Sequence, residues 1–286
     1  MAERPSPVFD ILNSLPKYQF NNLTIFTDEP EDINELPVSY LSNIVAAYHQ
    51  AHIRFVRLVR SPSETAIPQT VFPSGSIVLT KKRDTTFKDL YHSPHRYDSL
   101  PNWVNGYSNF KASVYVTYIP NNSNLTTNIV DDAHEFTHAV IPDELKIPAP
   151  NLLELWPTWI REFWSVGLHQ RRPDGWLAKE LQRRPGIIIP TINSITKNGI
   201  FAHDQNQPFN NIAYQYCVLA GEKLGNAAIP RLYPDFWQEN ASPYMAVADL
   251  THQAYRNGRT LLEEAANLEI DLNQVEVEMR KQHNLI

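Results

Sequence analysis

Twenty-two prolines against nine glycines punctuate this 286-residue chain. An interior proline removes a hydrogen bond and clashes with the preceding turn, so stiff connections and few helices longer than about four turns are expected. The length suits one large domain or two lobes. Hydrophobic residues make up 42% and charged residues 20%, which excludes a disordered or fibrous chain.

Charge and cysteine usage narrow the classes further. With 25 Lys+Arg against 31 Asp+Glu, the net charge is -6. Phosphate backbones bind through Lys/Arg neutralisation, so no nucleic-acid partner is expected. The single Cys217 excludes an intramolecular disulfide framework and a Cys-based zinc finger, and its apolar neighbours predict a small buried hydrophobe rather than a nucleophile. The first twenty residues carry Glu3, Arg4, Asp10 and three prolines with no apolar core, and no apolar run reaches the ~18 residues of a membrane span. The expectation is a soluble, cytoplasmic protein, with export by a signal-free route left open.

The N-terminal part mixes strands with one helix. Leu23–Phe26, Ile53–Val59, Ile77–Leu79 and Ala112–Ile119 are rich in β-branched and aromatic residues and bounded by Pro, Asn or Ser, as strands are. Leu41, Ile44, Val45 and Tyr48 form an i, i+3, i+4, i+7 stripe that predicts an amphipathic helix. Arg83–Lys111 reads as a long irregular, aromatic-rich stretch. After Pro120 the pattern turns helical, with predicted helices over Asn128–Ile141, Thr158–Gln170, Trp176–Arg184, Phe209–Leu224, Pro243–Arg256 and Asn273–Gln282. The expected fold is α+β: an N-terminal sheet-bearing lobe, residues 1–127, followed by a helical lobe, residues 128–286.

One segment carries chemistry above all others. Asp131-Asp132-Ala133-His134-Glu135-Phe136-Thr137-His138 contains H-E-x-x-H. On a helix, residues four apart lie on one face about 5.4 Å apart, so both imidazoles can bind one tetrahedral Zn²⁺. Glu135 can then take a proton from the attacking water. Asn128 as N-cap, two aspartates in the first turn and Pro142 as a stop agree with a helix here. With 10 His in the chain, the pattern arises by chance in roughly 2% of such sequences. The competing reading is a solvated helix with two surface histidines, which the flanking Phe136, Ala139 and Val140 disfavour.

A catalytic zinc takes three protein ligands and keeps one position open. No third histidine follows in the spacing H-E-x-x-H-x-x-G-x-x-H: Ile141 stands at the glycine position and Glu144 at the histidine position. Glu162 lies 24 residues after His138, on a segment where Pro157 suits the first helical position and Trp159, Ile160, Phe163 and Trp164 surround the carboxylate. A carboxylate among so much aromatic surface needs a partner, and a metal is one. An Arg161/Glu162 pair on a solvated strip is the alternative.

H-E-x-x-H, a spacer of two dozen residues and then Pro157-Thr158-Trp159-Ile160-Arg161-Glu162 resembles the gluzincin metallopeptidases, most closely the peptidase-MA-like group. A later Ala213-Tyr214 and Leu224-Gly225 resemble the ends of a helix in that group, so the likeness covers residues 128 to 235. It implies a zincin-like fold. Ala112–Ile119, which precedes the zinc helix by a short connection, reads as an edge strand bordering the cleft that can pair with an extended peptide, with an ordinary sheet strand as the alternative. The resemblance also implies one Zn²⁺ per chain on His134, His138 and Glu162, with Glu135 as general base and a peptide or protein as substrate. Tyr214 looks like the tyrosine that related aminopeptidases use to stabilise the oxyanion, and His203, beside Asp204, is the second candidate donor. Two departures stand out: Phe163-Trp164 replace the usual small residues after the glutamate, and Val166 stands where thermolysin-like enzymes keep an aspartate.

Weaker patterns have plainer readings beside them. His92-Ser93-Pro94-His95 has ligand spacing, but Pro94 breaks the helix that would align the rings. Arg171, Arg172, Lys179, Arg183 and Arg184 are either a solvated face or a dock for acidic substrate groups. Two functional alternatives share the same residues: a catalytically silent zincin-fold binding module, and a zinc hydrolase acting on a non-peptide amide.

Overall fold

The computed structural model describes residues 12–27, 33, 35–59, 75–80, 106–109, 114–118, 129–144, 158–189, 191–198 and 207–286. Five strands, β1 (Lys17–Phe20), β2 (Leu23–Thr27), β3 (Gly75–Thr80), β4 (Gly106–Asn109) and β5 (Val114–Tyr118), form one mixed sheet in the order β1-β2-β3-β5-β4. The outer pairs are antiparallel, and β2-β3 and β3-β5 are parallel. The described helices are α1 (Val38–Val59), α2 (Ile129–Glu144), α3 (Thr158–His169), α4 (Trp176–Arg183), α5 (Ile192–Asn198), α6 (Gln207–Leu232), α7 (Asp235–Gln238), α8 (Pro243–Arg256), α9 (Leu261–Asn267) and α10 (Leu272–Gln282). The fold is α+β and predominantly helical. No described helix is long and apolar enough to cross a membrane.

Several sequence expectations change. Ile53–Val59 is not a strand but the last two turns of α1. Phe55 lies one turn beyond Ala51 on the Ile44-Tyr48 stripe, and both are fully buried, so tertiary packing overrides local β propensity. α1 and α6 run to 22 and 26 residues, well past four turns. α1 contains no proline, and Pro230 in α6 falls in its last turn, where one lost hydrogen bond matters little. Likewise α2 continues three residues past Ile141 despite Pro142. β4 emerges inside the stretch read as irregular, and by pairing with β5 it takes the outer place in the sheet. The strand expected at the edge, Ala112–Ile119, is therefore an inner strand between β3 and β4, and the predicted peptide-pairing edge is not there.

The chain divides into two compact units, Met1–Ile53 with Pro68–Asp143, and Arg54–Ile67 with Glu144–Ile286. The division after Asp143 puts nearly all of α2 with the sheet. In the first unit, Ile77, Val78, Leu79 and Thr80 of β3 are wholly buried, as a central parallel strand covered on both faces must be. The Tyr48 ring lies over Gly75, where a Cβ would come within 2.6 Å of it, and packs edge-to-face on Phe136 of α2 at 5.2 Å.

In the second unit, α6 is the hub, packing against α3, α4, α7, α8 and α10. Buried residues surround it (Ile212, Tyr216, Cys217, Leu224 and Ala228 among them), as expected of a helix inside a bundle. One buried polar cluster ties α5 and α10 to this hub. Glu276 accepts from the Tyr216 hydroxyl at 2.9 Å, the Arg280 Nε at 2.8 Å and the Ile192 amide at 2.8 Å. Replacing Glu276 by Leu strands all three donors, so urea unfolding should show a loss of about 3–5 kcal/mol. A loss below about 1 kcal/mol would mean the donors find other partners.

Candidate metal centre

α2 is seated by one face. Ala133, Phe136, Thr137, Val140 and Ile141 are buried, and Thr137 Oγ1 donates back to the Ala133 carbonyl at 2.8 Å. Asp131 and Asp132 occupy the first turn, where the helix dipole favours anions. With Phe136 anchored under Tyr48, helical phase carries His134 and His138 together along the adjoining strip. Both histidines are buried, at 6% and 3% exposure, which removes the surface-histidine alternative. Their ring centroids are 4.9 Å apart and the planes nearly perpendicular, at 86°. Glu135 Oε1 stands 3.9 Å from His134 Nε2, and a quarter of the Glu135 side chain remains exposed.

Glu162 lies on α3, whose Trp159, Ile160, Phe163 and Trp164 are fully buried. Glu162 itself is half-buried. Arg161 is not on a solvated strip: it is 5% exposed, and burial lowers its guanidinium to about 10 while the neighbouring Glu162 charge opposes that shift. Phe163, one departure from the family pattern, has its ring against Gly221 of α6, where a side chain would collide with it.

His134 and His138 present two imidazoles from one helix of the first unit, and Glu162 offers a carboxylate from α3 of the second. Two imidazole nitrogens and one carboxylate oxygen are the donor types that zinc takes in catalytic sites, so by their chemistry the residues fit the ion.

The other sequence candidates fare differently. Tyr214 is half-buried on α6, one turn before Cys217 and Val218. His203, Asp204, His92 and His95 lie outside the described residues. Cys217 is fully buried, and burial followed by the Glu162 charge pushes its thiol well above the ordinary range, which suits a core residue and not a nucleophile. The basic cluster is largely neutralised within its own unit. Arg171 grips Glu222 at 2.8 and 3.2 Å and Asp174 at 2.9 Å, while Arg183 and Arg184 share Glu180. Arg172 lies over the Trp176 ring. Such a face is solvated and internally paired rather than a dock for acidic groups.

The chain matches no family model, no curated protein and no solved structure.

Proposed function

We propose that this protein is a zinc-dependent peptidase of the gluzincin type, with a zincin-like arrangement in which His134, His138 and Glu162 hold one Zn²⁺. The observation that carries the reading is the buried His134/His138 pair on one helix with a partly open Glu135 between them. Glu162, a half-buried carboxylate among the buried aromatic residues of α3, is the third ligand in this reading. When bound, zinc supplies a Lewis acid that polarises a carbonyl and makes water nucleophilic near neutral pH.

The chain's own residues do the rest. His134 and His138 are held on one strip of α2 by its seating. Glu135 keeps a quarter of its side chain in contact with solvent, as a base that must meet water does. It accepts the proton of the attacking water and hands it to the departing amine. Incubation with a generic peptide library, with and without a chelator, tests the proposal: cleavage that stops on chelation and returns with zinc is expected. Cleavage indifferent to the chelator, or none by zinc-loaded protein, overturns it.

The oxyanion donor is Tyr214 in this reading, with His203 as the rival. A hydroxyl aimed at the developing anion is worth ~2.7–4 kcal/mol, or about 10²–10³ in rate. Tyr214→Phe should show that loss with zinc content and folding unchanged. If Tyr214→Phe is fully active and His203→Ala is crippled, the role passes to His203.

A further inference from the structure

Phe163, next to Glu162 in the chain, is fully buried and stacks on Tyr244 of α8 at 4.6 Å and 12°. The ring also lies against Gly221, where an added Cβ would meet it, Cδ1 included at 2.8 Å. One turn further along α3, Gly167 receives Tyr244 in the same manner, with a Cβ there 2.9 Å from Cε1. α3 is thus keyed twice: it inserts Phe163 into a glycine socket on α6 and accepts Tyr244 on a glycine of its own. Gly225, one turn past Gly221, lets Pro243 approach just as closely, at 2.6 Å from its Cα. α6 cannot be raised from α3 or lowered onto it without losing one of these fits.

Phe163 and Glu162 are consecutive on α3, which packs along α6, so the stretch of α6 that receives Phe163 also sets where α3 carries Glu162. Building on the metal reading above, we propose that Gly221 is a positioning residue for Glu162: its missing side chain sets the height of α3 on α6 and so the place from which the carboxylate reaches the metal. A methyl group at 221 pushes Phe163 away and carries its sequence neighbour with it. Packed helices transmit such shifts because their interiors are dense.

Zinc affinity, measured by competition with a chromogenic chelator, tests this in a two-by-two set of chains. Gly221→Ala should weaken zinc binding by about 10-fold or more, as loss of an orienting partner does. In a Glu162→Ala background the same change should leave the residual affinity unaltered, because no carboxylate remains to be misplaced. Phe163→Leu, added to Gly221→Ala, should recover most of the loss by relieving the collision. Equal loss with and without Glu162, or no loss in either, overturns the positioning role. If Gly221→Ala does not fold, Phe163→Leu alone loosens the socket, and its effect on affinity must again depend on Glu162. A parent chain that binds no zinc overturns the metal reading and this inference together, whereas a zinc-binding parent indifferent to Gly221 removes only the inference.

Discussion

Glu135→Gln should retain zinc and lose peptide hydrolysis by at least ~10²-fold, the usual worth of a positioned acid–base group. The amide has the shape of the carboxylate but cannot accept a proton. Glu135 is not one of the proposed ligands, and a quarter of its side chain is open, so the substitution leaves neither a cavity nor a missing ligand. Steady-state turnover of a cleaved peptide, with zinc content measured on the same sample, checks the prediction. A variant that cleaves as fast as the parent would show that another group takes the proton.

His134→Ala, His138→Ala and Glu162→Ala should each reduce zinc affinity by more than the ~10–100-fold that outer partners of a ligand cost. The three should not behave alike in stability. His134 and His138 are buried, so their truncation also leaves voids in the seat of α2, visible as a lowered urea midpoint of the metal-free chain. Glu162 is half-buried beside the buried Arg161, and removing its charge leaves the guanidinium without the neighbour that opposes its lowered pKa. Chelator competition and urea unfolding on the same set separate the two effects. Full zinc retention by Glu162→Ala would place the third ligand elsewhere.

The candidate site was legible because its chemistry is written in spacing. Two histidines four apart, with apolar residues in the intervening phase, already imply one helix face, and His134 and His138 are buried as that phase requires. The sheet was less legible for reasons visible in its strands. β3 reads as a strand because a run buried on both faces must be continuously apolar, whereas β1 alternates between exposed and half-buried positions and carries no such demand. β5 shows its own pattern, but nothing within it reveals that β4 will pair on its far side, and so its inner position was hidden. The change of composition near residue 127 marks where strands give way to helices. It does not mark the unit division, because α2, although helical, is anchored through Phe136 to Tyr48 of the sheet-bearing unit. Gly221 gave no local signal at all: a glycine inside a helix declares its purpose only when the ring that occupies its place is known.

Zinc K-edge X-ray absorption on protein purified after growth with added zinc tests the central claim most directly. The account predicts one zinc per chain in a shell of nitrogen and oxygen only, at ~2.0–2.2 Å, with two imidazoles contributing. Protein that carries no zinc, a shell with fewer than two imidazoles, or a sulfur at ~2.3 Å from Cys217 would contradict it.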